Sequence, residues 1–106
     1  MAVSILIYED NDLLRESLSS MIAQNSELKS AGEFGHVLNI EDQVKQFKPE
    51  LILMDIDMPG MTGIEAVKKI RTFNKEVSIV MLTVFDDNQH VFDAICAGAS
   101  GYLLKK

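Results

Sequence analysis

The chain has little cysteine, proline or tryptophan, and these scarcities narrow the class of protein. Its 106 residues include one cysteine, Cys96, two prolines and no tryptophan. A single cysteine excludes an internal disulfide and a zinc site built on cysteine pairs, and it fits a reducing compartment. No apolar run reaches the roughly 20 residues of a membrane-spanning helix, and the N-terminus lacks the basic region of a signal peptide. We therefore expect a cytoplasmic protein that does not contact a membrane.

Basic residues are also scarce. Lysine and arginine number 10 against 16 acidic residues, which gives a formal net charge of −6. Binding the phosphates of nucleic acid requires a clustered basic surface, so we expect no direct contact between this chain and nucleic acid. Hydrophobic residues make up 47% and charged residues 25%, as in ordinary globular domains of this length. The composition predicts one domain spanning residues 1–106.

Apolar segments alternate with helical patterns along the whole chain. The predicted strands are residues 3–8, 28–34, 51–54, 77–82 and 101–104, and a helical pattern follows each of the first four. Short links between alternating strands and helices are typical of a parallel sheet covered by helices on both faces. The sequence therefore predicts an α/β, flavodoxin-like, doubly wound five-stranded parallel sheet of order 2-1-3-4-5. A fifth helix is expected to cover such a sheet, and we expect this chain to end before it.

The helical patterns also predict which side chains are buried. In the first helix, the apolar stripe consists of Leu14, Leu18, Met21 and Ile22, and Arg15 lies on the opposite face. The last helix has its stripe at Val91, Ala94 and Ile95. Thr62 and Glu65 have the spacing of a capping box, which predicts that a helix begins there.

Polar residues that suit phosphate chemistry follow the predicted strands. These residues are Glu9 and Asp10 after the first strand, Asp55 and Asp57 after the third, Thr83 after the fourth and Lys105 after the fifth. Because strands one and three are neighbours in this order, Asp10 and Asp55 should face each other across the crevice. Carboxylates crowded together repel unless a cation joins them, and hard oxygen ligands suit Mg²⁺.

The other two strand ends supply hydrogen-bond donors. A hydroxyl at Thr83 and an ammonium at Lys105 suit the oxygens of a phosphoryl group. One of the carboxylates is then a candidate nucleophile that accepts a phosphoryl group, while the others hold the metal. The sequence therefore predicts a magnesium-dependent phosphoryl-transfer site at the carboxyl edge of the sheet.

Several segments resemble a known family. They are Ile5-Leu6-Ile7-Tyr8-Glu9-Asp10, the stretch from Leu53 to Gly63 around Asp55-Ile56-Asp57-Met58-Pro59-Gly60, Thr83, and Ala97-Gly98-Ala99-Ser100-Gly101-Tyr102-Leu103-Leu104-Lys105. Together they resemble the response-regulator receiver domain of two-component signalling, over essentially the whole chain. The stretches Phe85-Asp86-Asp87 and 97–105 are similar to the subfamily whose receivers precede a helix-turn-helix DNA-binding domain.

The resemblance implies a role for each strand-end residue. Asp55 would be the phosphoacceptor, phosphorylated by a sensor histidine kinase, and Thr83 and Lys105 would bind the phosphoryl oxygens. Tyr102 would rotate inward as Thr83 moves toward the phosphate. The implied Mg²⁺ ligands are the carboxylates of Asp10 and Asp55, Glu9 through water, and Asp57 through its backbone carbonyl.

The resemblance also implies a regulatory domain rather than an enzyme. Its own chemistry would be limited to self-catalysed phosphoryl transfer and slow autodephosphorylation. Phosphorylation would change the surface around the fourth helix and fifth strand, and so control dimerisation and a DNA-binding, transcription-regulating effector domain that this chain lacks. The chain would be a receiver domain, residues 1–106, that ends before its last helix. We expect the sheet face left uncovered to favour a homodimer.

Two alternatives remain open at the level of sequence. Phosphohydrolases of the haloacid-dehalogenase type also carry an apolar strand ending in Asp-x-Asp, as Asp55-Ile56-Asp57 does. Their motif follows the first strand, however, and a cap that encloses the substrate normally accompanies it. The second alternative is a degenerate receiver that acts by binding alone. The full set of strand-end residues argues against it.

Overall fold

Five parallel strands form the sheet of the computed structural model, which describes residues 2–105. The strands are β1 (Val3–Tyr8), β2 (Leu28–Phe34), β3 (Leu51–Met54), β4 (Ser78–Thr83) and β5 (Gly101–Leu104). Their order is β2-β1-β3-β4-β5, with every pair parallel. The predicted flavodoxin-like architecture is confirmed. The fourth strand begins and ends one residue later than the sequence predicts.

Four helices within residues 2–105 connect the strands. They are α1 (Asp12–Ala23), α2 (Ile40–Phe47), α3 (Gly63–Arg71) and α4 (Asn88–Ala97). Side chains cap three of them: Asn11 caps α1, Thr62 and Glu65 form the predicted capping box of α3, and Asp87 caps α4. Gly98 ends α4 in the left-handed conformation, with φ of 115°. None of the helices described here has the length and apolar character needed to cross a bilayer.

The two faces of the sheet are covered unequally. One face lies under α2, α3 and α4, and its central side chains are fully buried: Leu6, Tyr8, Ile52, Met54, Ile79 and Met81. On the other face, α1 packs on Ile5 and Ile7 of β1 through Ile22 and Leu18. Farther along that face, Val80 and Leu82 are only half-buried and Leu103 is exposed. The side-chain alternation of β3 and β4 therefore separates a fully buried face from a half-buried one.

Three predictions about helix faces are wrong. Met21 and Ile95 were expected in apolar stripes but are 66% and 60% exposed. Adjacent residues point about 100° apart around a helix, and in each case the neighbour, Ile22 or Ala94, occupies the buried position. Arg15, expected on the solvent face, has a side chain only 19% exposed. It lies over the end of β1.

Candidate functional site

Three of the four acidic residues predicted at the metal site, Glu9, Asp10 and Asp55, bring their carboxylates together at the carboxyl edge of the sheet. Tyr8 pairs with Met54, so Glu9 and Asp55 are the next residues of two neighbouring strands. The backbone continues this register for one more step, since the amide of Asp55 donates to the carbonyl of Tyr8 at 3.0 Å. Glu9 and Asp55 are buried and Asp10 is exposed. One carboxylate oxygen from each of Glu9, Asp10 and Asp55 lies within 4.8 Å of the others.

Lys105 joins the two buried carboxylates. Its Nζ lies 2.6 Å from Oε1 of Glu9 and 2.8 Å from Oδ2 of Asp55. The position of Lys105 follows from β5, because its amide donates to the carbonyl of Thr83 at 2.8 Å and extends the pairing with β4. The second carboxylate oxygens are bonded too: Asn11 N–H donates to Oε2 of Glu9 and Ile56 N–H to Oδ1 of Asp55. Two buried anions are thus compensated by one cation and two backbone amides.

Burial and hydrogen bonding shift the pKa values of Glu9 and Lys105 in opposite directions. Burial raises the pKa of Glu9 above its ordinary value, and the hydrogen bonds from Lys105 and Asn11 offset only part of that rise. For Lys105, burial would lower the pKa, but the hydrogen bonds to Asp55 and Glu9 and their charges outweigh it and raise the pKa. Lys105 therefore stays an ammonium at neutral pH.

Thr83 and Tyr102 lie on the neighbouring part of the same sheet edge. Thr83 is fully buried, and its Oγ1 is 3.5 Å from the amide of Phe85, the limit of a hydrogen bond. The hydroxyl of Tyr102 donates to the carbonyl of Phe85 at 2.6 Å. The Phe85 ring stacks on His90 of α4, with 4.2 Å between centroids. Tyr102 is therefore bonded to the loop that connects Thr83 to α4.

The donor set fits a hard divalent cation. Mg²⁺ binds oxygen ligands at 2.0–2.1 Å, so two of its ligands can be no more than about 4.2 Å apart. One oxygen from each of Glu9, Asp10 and Asp55 lies within 4.8 Å of the others, so a small movement would bring all three within reach of one ion. Asp10 faces solvent, which suits an ion that keeps several waters. Asp57 is exposed and lies outside this trio, so its contribution through a backbone carbonyl stays a prediction.

Two residues near the site have roles that sequence reasoning missed. Gly63, the first residue of α3, donates its amide to the carbonyl of Ile56 at 2.8 Å. A Cβ at this position would lie 1.9 Å from the carbonyl oxygen of Asp55, so only glycine allows the helix to begin there. Arg15 donates from Nη1 to the carbonyl of Glu9 at 2.7 Å. The glycine falls inside a segment that resembles the family, whereas no sequence pattern distinguishes Arg15.

Comparison with known proteins gives a consistent result. Residues 5–106 match the family of the response regulator receiver domain. The uncharacterized transcriptional regulatory protein YxjL of Bacillus subtilis is 41% identical over 103 residues, which cover 97% of this chain and 47% of that protein. Transcriptional regulatory protein DegU of Brevibacillus brevis is 33% identical, with coverage of 98% and 44%. A two-component response regulator of the LuxR family from Aurantimonas sp. superimposes with a TM-score of 0.93 at 25% identity, covering 100% of this chain and 76% of that one.

This chain belongs to the response regulator receiver domain family. The resemblance inferred from the strand-end residues is confirmed. The chain spans about half the length of the curated relatives it matches.

Proposed function

We propose that the chain is a phosphorylation-dependent switch in which Asp55 accepts a phosphoryl group. The observation that carries the proposal is the buried Asp55 carboxylate, bonded to Lys105 and adjacent to the carboxylates of Glu9 and Asp10. In the transfer, an oxygen of Asp55 forms a bond to phosphorus while the bond from phosphorus to the donor's leaving group breaks. The donor is a phosphohistidine of a sensor histidine kinase, or a small acyl phosphate.

Each neighbour of Asp55 has a part in that step. The amide of Ile56 fixes Oδ1, and Lys105 bonds Oδ2, so the carboxylate is oriented before the donor arrives. The carboxylates of Asp10 and Asp55, Glu9 through water, and the backbone carbonyl of Asp57 would hold Mg²⁺, which would supply charge neutralisation. Lys105 keeps its proton and moves with the developing charge from the carboxylate to the phosphoryl oxygens.

Thr83 and Tyr102 convert the new charge into a change of surface. The phosphoryl group adds strong acceptors close to the end of β4, and the Thr83 hydroxyl turns toward them. The Thr83 hydroxyl gives up its weak 3.5 Å contact with the amide of Phe85 as it turns, which frees Phe85 and the hydrogen bond from Tyr102 to shift. Tyr102 then rotates inward, and the surface of α4 and β5 changes.

The output of this switch lies in a longer protein. The relatives YxjL and DegU are named transcriptional regulatory proteins, and this chain covers 47% and 44% of them. We infer that the receiver domain, residues 1–106, acts in a cytoplasmic regulator in which it controls a helix-turn-helix DNA-binding domain, with homodimerisation as one response to phosphorylation. The acidic charge of −6 agrees with DNA contact through the effector domain rather than this chain.

Phosphorylation by a small donor tests the proposal. The protein is incubated with acetyl phosphate and Mg²⁺, and the mass of the intact chain is measured. We expect one phosphoryl group per wild-type chain, base-labile and absent without Mg²⁺, and none on Asp55→Asn. Asp57→Asn is the matched control, because it removes a nearby but exposed carboxylate and should retain phosphorylation. Incorporation into Asp55→Asn equal to wild type would refute the proposal.

The phosphohydrolase alternative is tested with a second substrate, a phosphate monoester. Its motif should follow the first strand, whereas Asp55-Ile56-Asp57 follows β3, the third. A hydrolase releases many phosphates per chain from a phosphate monoester, while a receiver releases at most slow, stoichiometric amounts. A degenerate receiver would take up no phosphoryl group at all. Phosphate release from the monoester therefore identifies a hydrolase, and phosphoryl uptake from acetyl phosphate separates a receiver from a degenerate receiver.

A further inference from the structure

Arg15 contacts the backbone between the two acidic residues that follow β1, Glu9 and Asp10. Its Nη1 donates to the carbonyl oxygen of Glu9 at 2.7 Å, and that carbonyl belongs to the peptide unit joining Glu9 to Asp10. Its Nη2 donates to Oδ1 of Asp12 at 2.6 Å. The Arg15 side chain is only 19% exposed, and Gly35 leaves room for its guanidinium: a Cβ at Gly35 would lie 3.2 Å from Nη1. Arg15 therefore joins α1, the end of β1 and the loop after β2.

This contact bears on Asp10 more than on its buried neighbours. Glu9 is held by Lys105 and Asn11, and Asp55 by Lys105 and Ile56. Asp10 is exposed, and the orientation of its backbone depends on the peptide unit that Arg15 bonds. A charge-assisted hydrogen bond to that carbonyl is stronger than a neutral one and restricts rotation of the peptide plane.

We propose that Arg15 is a positioning residue for the cation site, acting through the carbonyl of Glu9 to fix the carboxylate of Asp10. The inference rests on the proposed Mg²⁺ site. The direction of the change in Mg²⁺ affinity distinguishes positioning from a simple charge effect. An arginine near a cation site repels the cation, so removing Arg15 would tighten Mg²⁺ binding if charge alone mattered. Positioning predicts the opposite, because the loss of an outer hydrogen-bond partner weakens metal binding.

Mg²⁺ binding to the whole chain, measured by isothermal titration calorimetry without a phosphoryl donor, tests the inference. We expect Arg15→Met to raise the dissociation constant about tenfold, the low end for loss of an outer-sphere partner. Arg15→Lys keeps the charge but loses the planar, forked arrangement of guanidinium donors. We expect its dissociation constant for Mg²⁺ to lie between those of wild type and Arg15→Met. Arg71→Met is the matched control: Arg71 is another partly buried arginine that donates to a backbone carbonyl, that of Gly98 at 2.9 Å, at the end of α3. It should bind Mg²⁺ like wild type.

The possible outcomes separate the inference from the function on which it rests. Unchanged or tighter Mg²⁺ binding in Arg15→Met, with normal binding by wild type, would overturn the role of Arg15 and leave the proposed function intact. If Arg15→Met does not fold by circular dichroism, Arg15→Lys decides: affinity equal to wild type contradicts positioning. Absence of Mg²⁺ binding by the wild-type chain would overturn both the inference and the metal site.

Discussion

The carboxyl edge of the sheet has two halves that differ in burial and hydrogen bonding. The acceptor half contains Glu9, Asp55 and Lys105, and the switch half contains Tyr102 and the segment from Thr83 to α4. On the acceptor half, Glu9 and Asp55 are 2% and 4% exposed, and each of their carboxylate oxygens has a hydrogen-bond partner. On the switch half, Val84 is 65% exposed, and α4 buries only Ala94 and Ala97 near its C-terminus. This difference matches two functional requirements. Bond formation at Asp55 requires a fixed geometry, whereas transmission of the signal requires an element that moves at a small free-energy cost.

Removing Lys105 should have the largest effect on the acceptor half. Lys105→Met leaves two buried carboxylates facing each other without their cation, and we expect a loss of about 3 kcal/mol in the free energy of unfolding. Urea denaturation measures it. Lys45→Met, which removes an exposed pair with Glu41, is the control and should cost no more than about 1 kcal/mol. Added Mg²⁺ should restore part of the stability of Lys105→Met only, and equal losses in the two variants would contradict the network.

A methyl group at Gly63 should disturb the acceptor itself. The added Cβ overlaps the carbonyl of Asp55, so Gly63→Ala must displace the backbone that carries the phosphoacceptor. We expect a destabilisation of about 2 kcal/mol and a slower phosphorylation by acetyl phosphate. Gly101→Ala is matched to it, because its nearest neighbour would be Val80 Cγ2 at 3.6 Å, an ordinary contact. A normal phosphorylation rate in Gly63→Ala would count against this account of the acceptor's position.

Loss of the Tyr102 hydroxyl should loosen the switch half alone. Tyr102→Phe removes the 2.6 Å hydrogen bond to Phe85 and should cost about 1 kcal/mol. Hydrogen exchange should become faster in residues 84–91 while β1 and β3 keep their protection. Tyr8→Phe removes a similar bond, to Gln43 at 2.9 Å, and should leave exchange in that loop unchanged. Faster exchange throughout the sheet in Tyr102→Phe would show that the two halves are not independent.

The smallest expected effect concerns the cap of α4 and its dependence on pH. The hydrogen bonds from the backbone and side chain of His90 lower the pKa of Asp87 below its ordinary value of 3.8. A lowered pKa means that the ionised cap stabilises the folded state above pH 3.8, and that this contribution disappears as the pH falls through the folded-state value. Thermal unfolding should therefore show a higher midpoint for wild type than for Asp87→Asn at pH 7, and the difference should shrink as the pH falls below 3.8. A gap that widens on acidification would contradict the assignment.

The architecture and the location of the site could be predicted because both depend on regular properties of the backbone. Buried parallel strands are continuous apolar runs, and their carboxyl ends share one edge of the sheet, so residues as distant in sequence as Glu9 and Lys105 could be placed together. Capping of α3 by Thr62 and Glu65 is local and was equally predictable.

What could not be predicted depends on how side chains meet across elements. The period of α1 gives an apolar stripe but does not say which edge of it faces the sheet, so Met21 was misplaced. An arginine in the first turn of a helix resembles any solvated residue, and only the tertiary structure places Arg15 on the carbonyl of Glu9. Glu9 was predicted as a metal residue and Lys105 as a phosphate ligand. The 2.6 Å ion pair between them depends on the length of the glutamate side chain, which the strand pattern does not take into account.

Binding of beryllofluoride tests whether a phosphoryl group on Asp55 changes the region from Thr83 to α4, because beryllofluoride with Mg²⁺ occupies the position of a phosphoryl group on a carboxylate. Amide resonances of the wild-type chain and Asp55→Asn are compared before and after its addition. The account predicts shifts in wild type around Asp55 and in residues 83–91 and 101–105, with little change at the far end of the sheet, and none in Asp55→Asn. The same shifts in Asp55→Asn, or shifts in wild type that leave the segment from Thr83 to α4 unaffected, would contradict it.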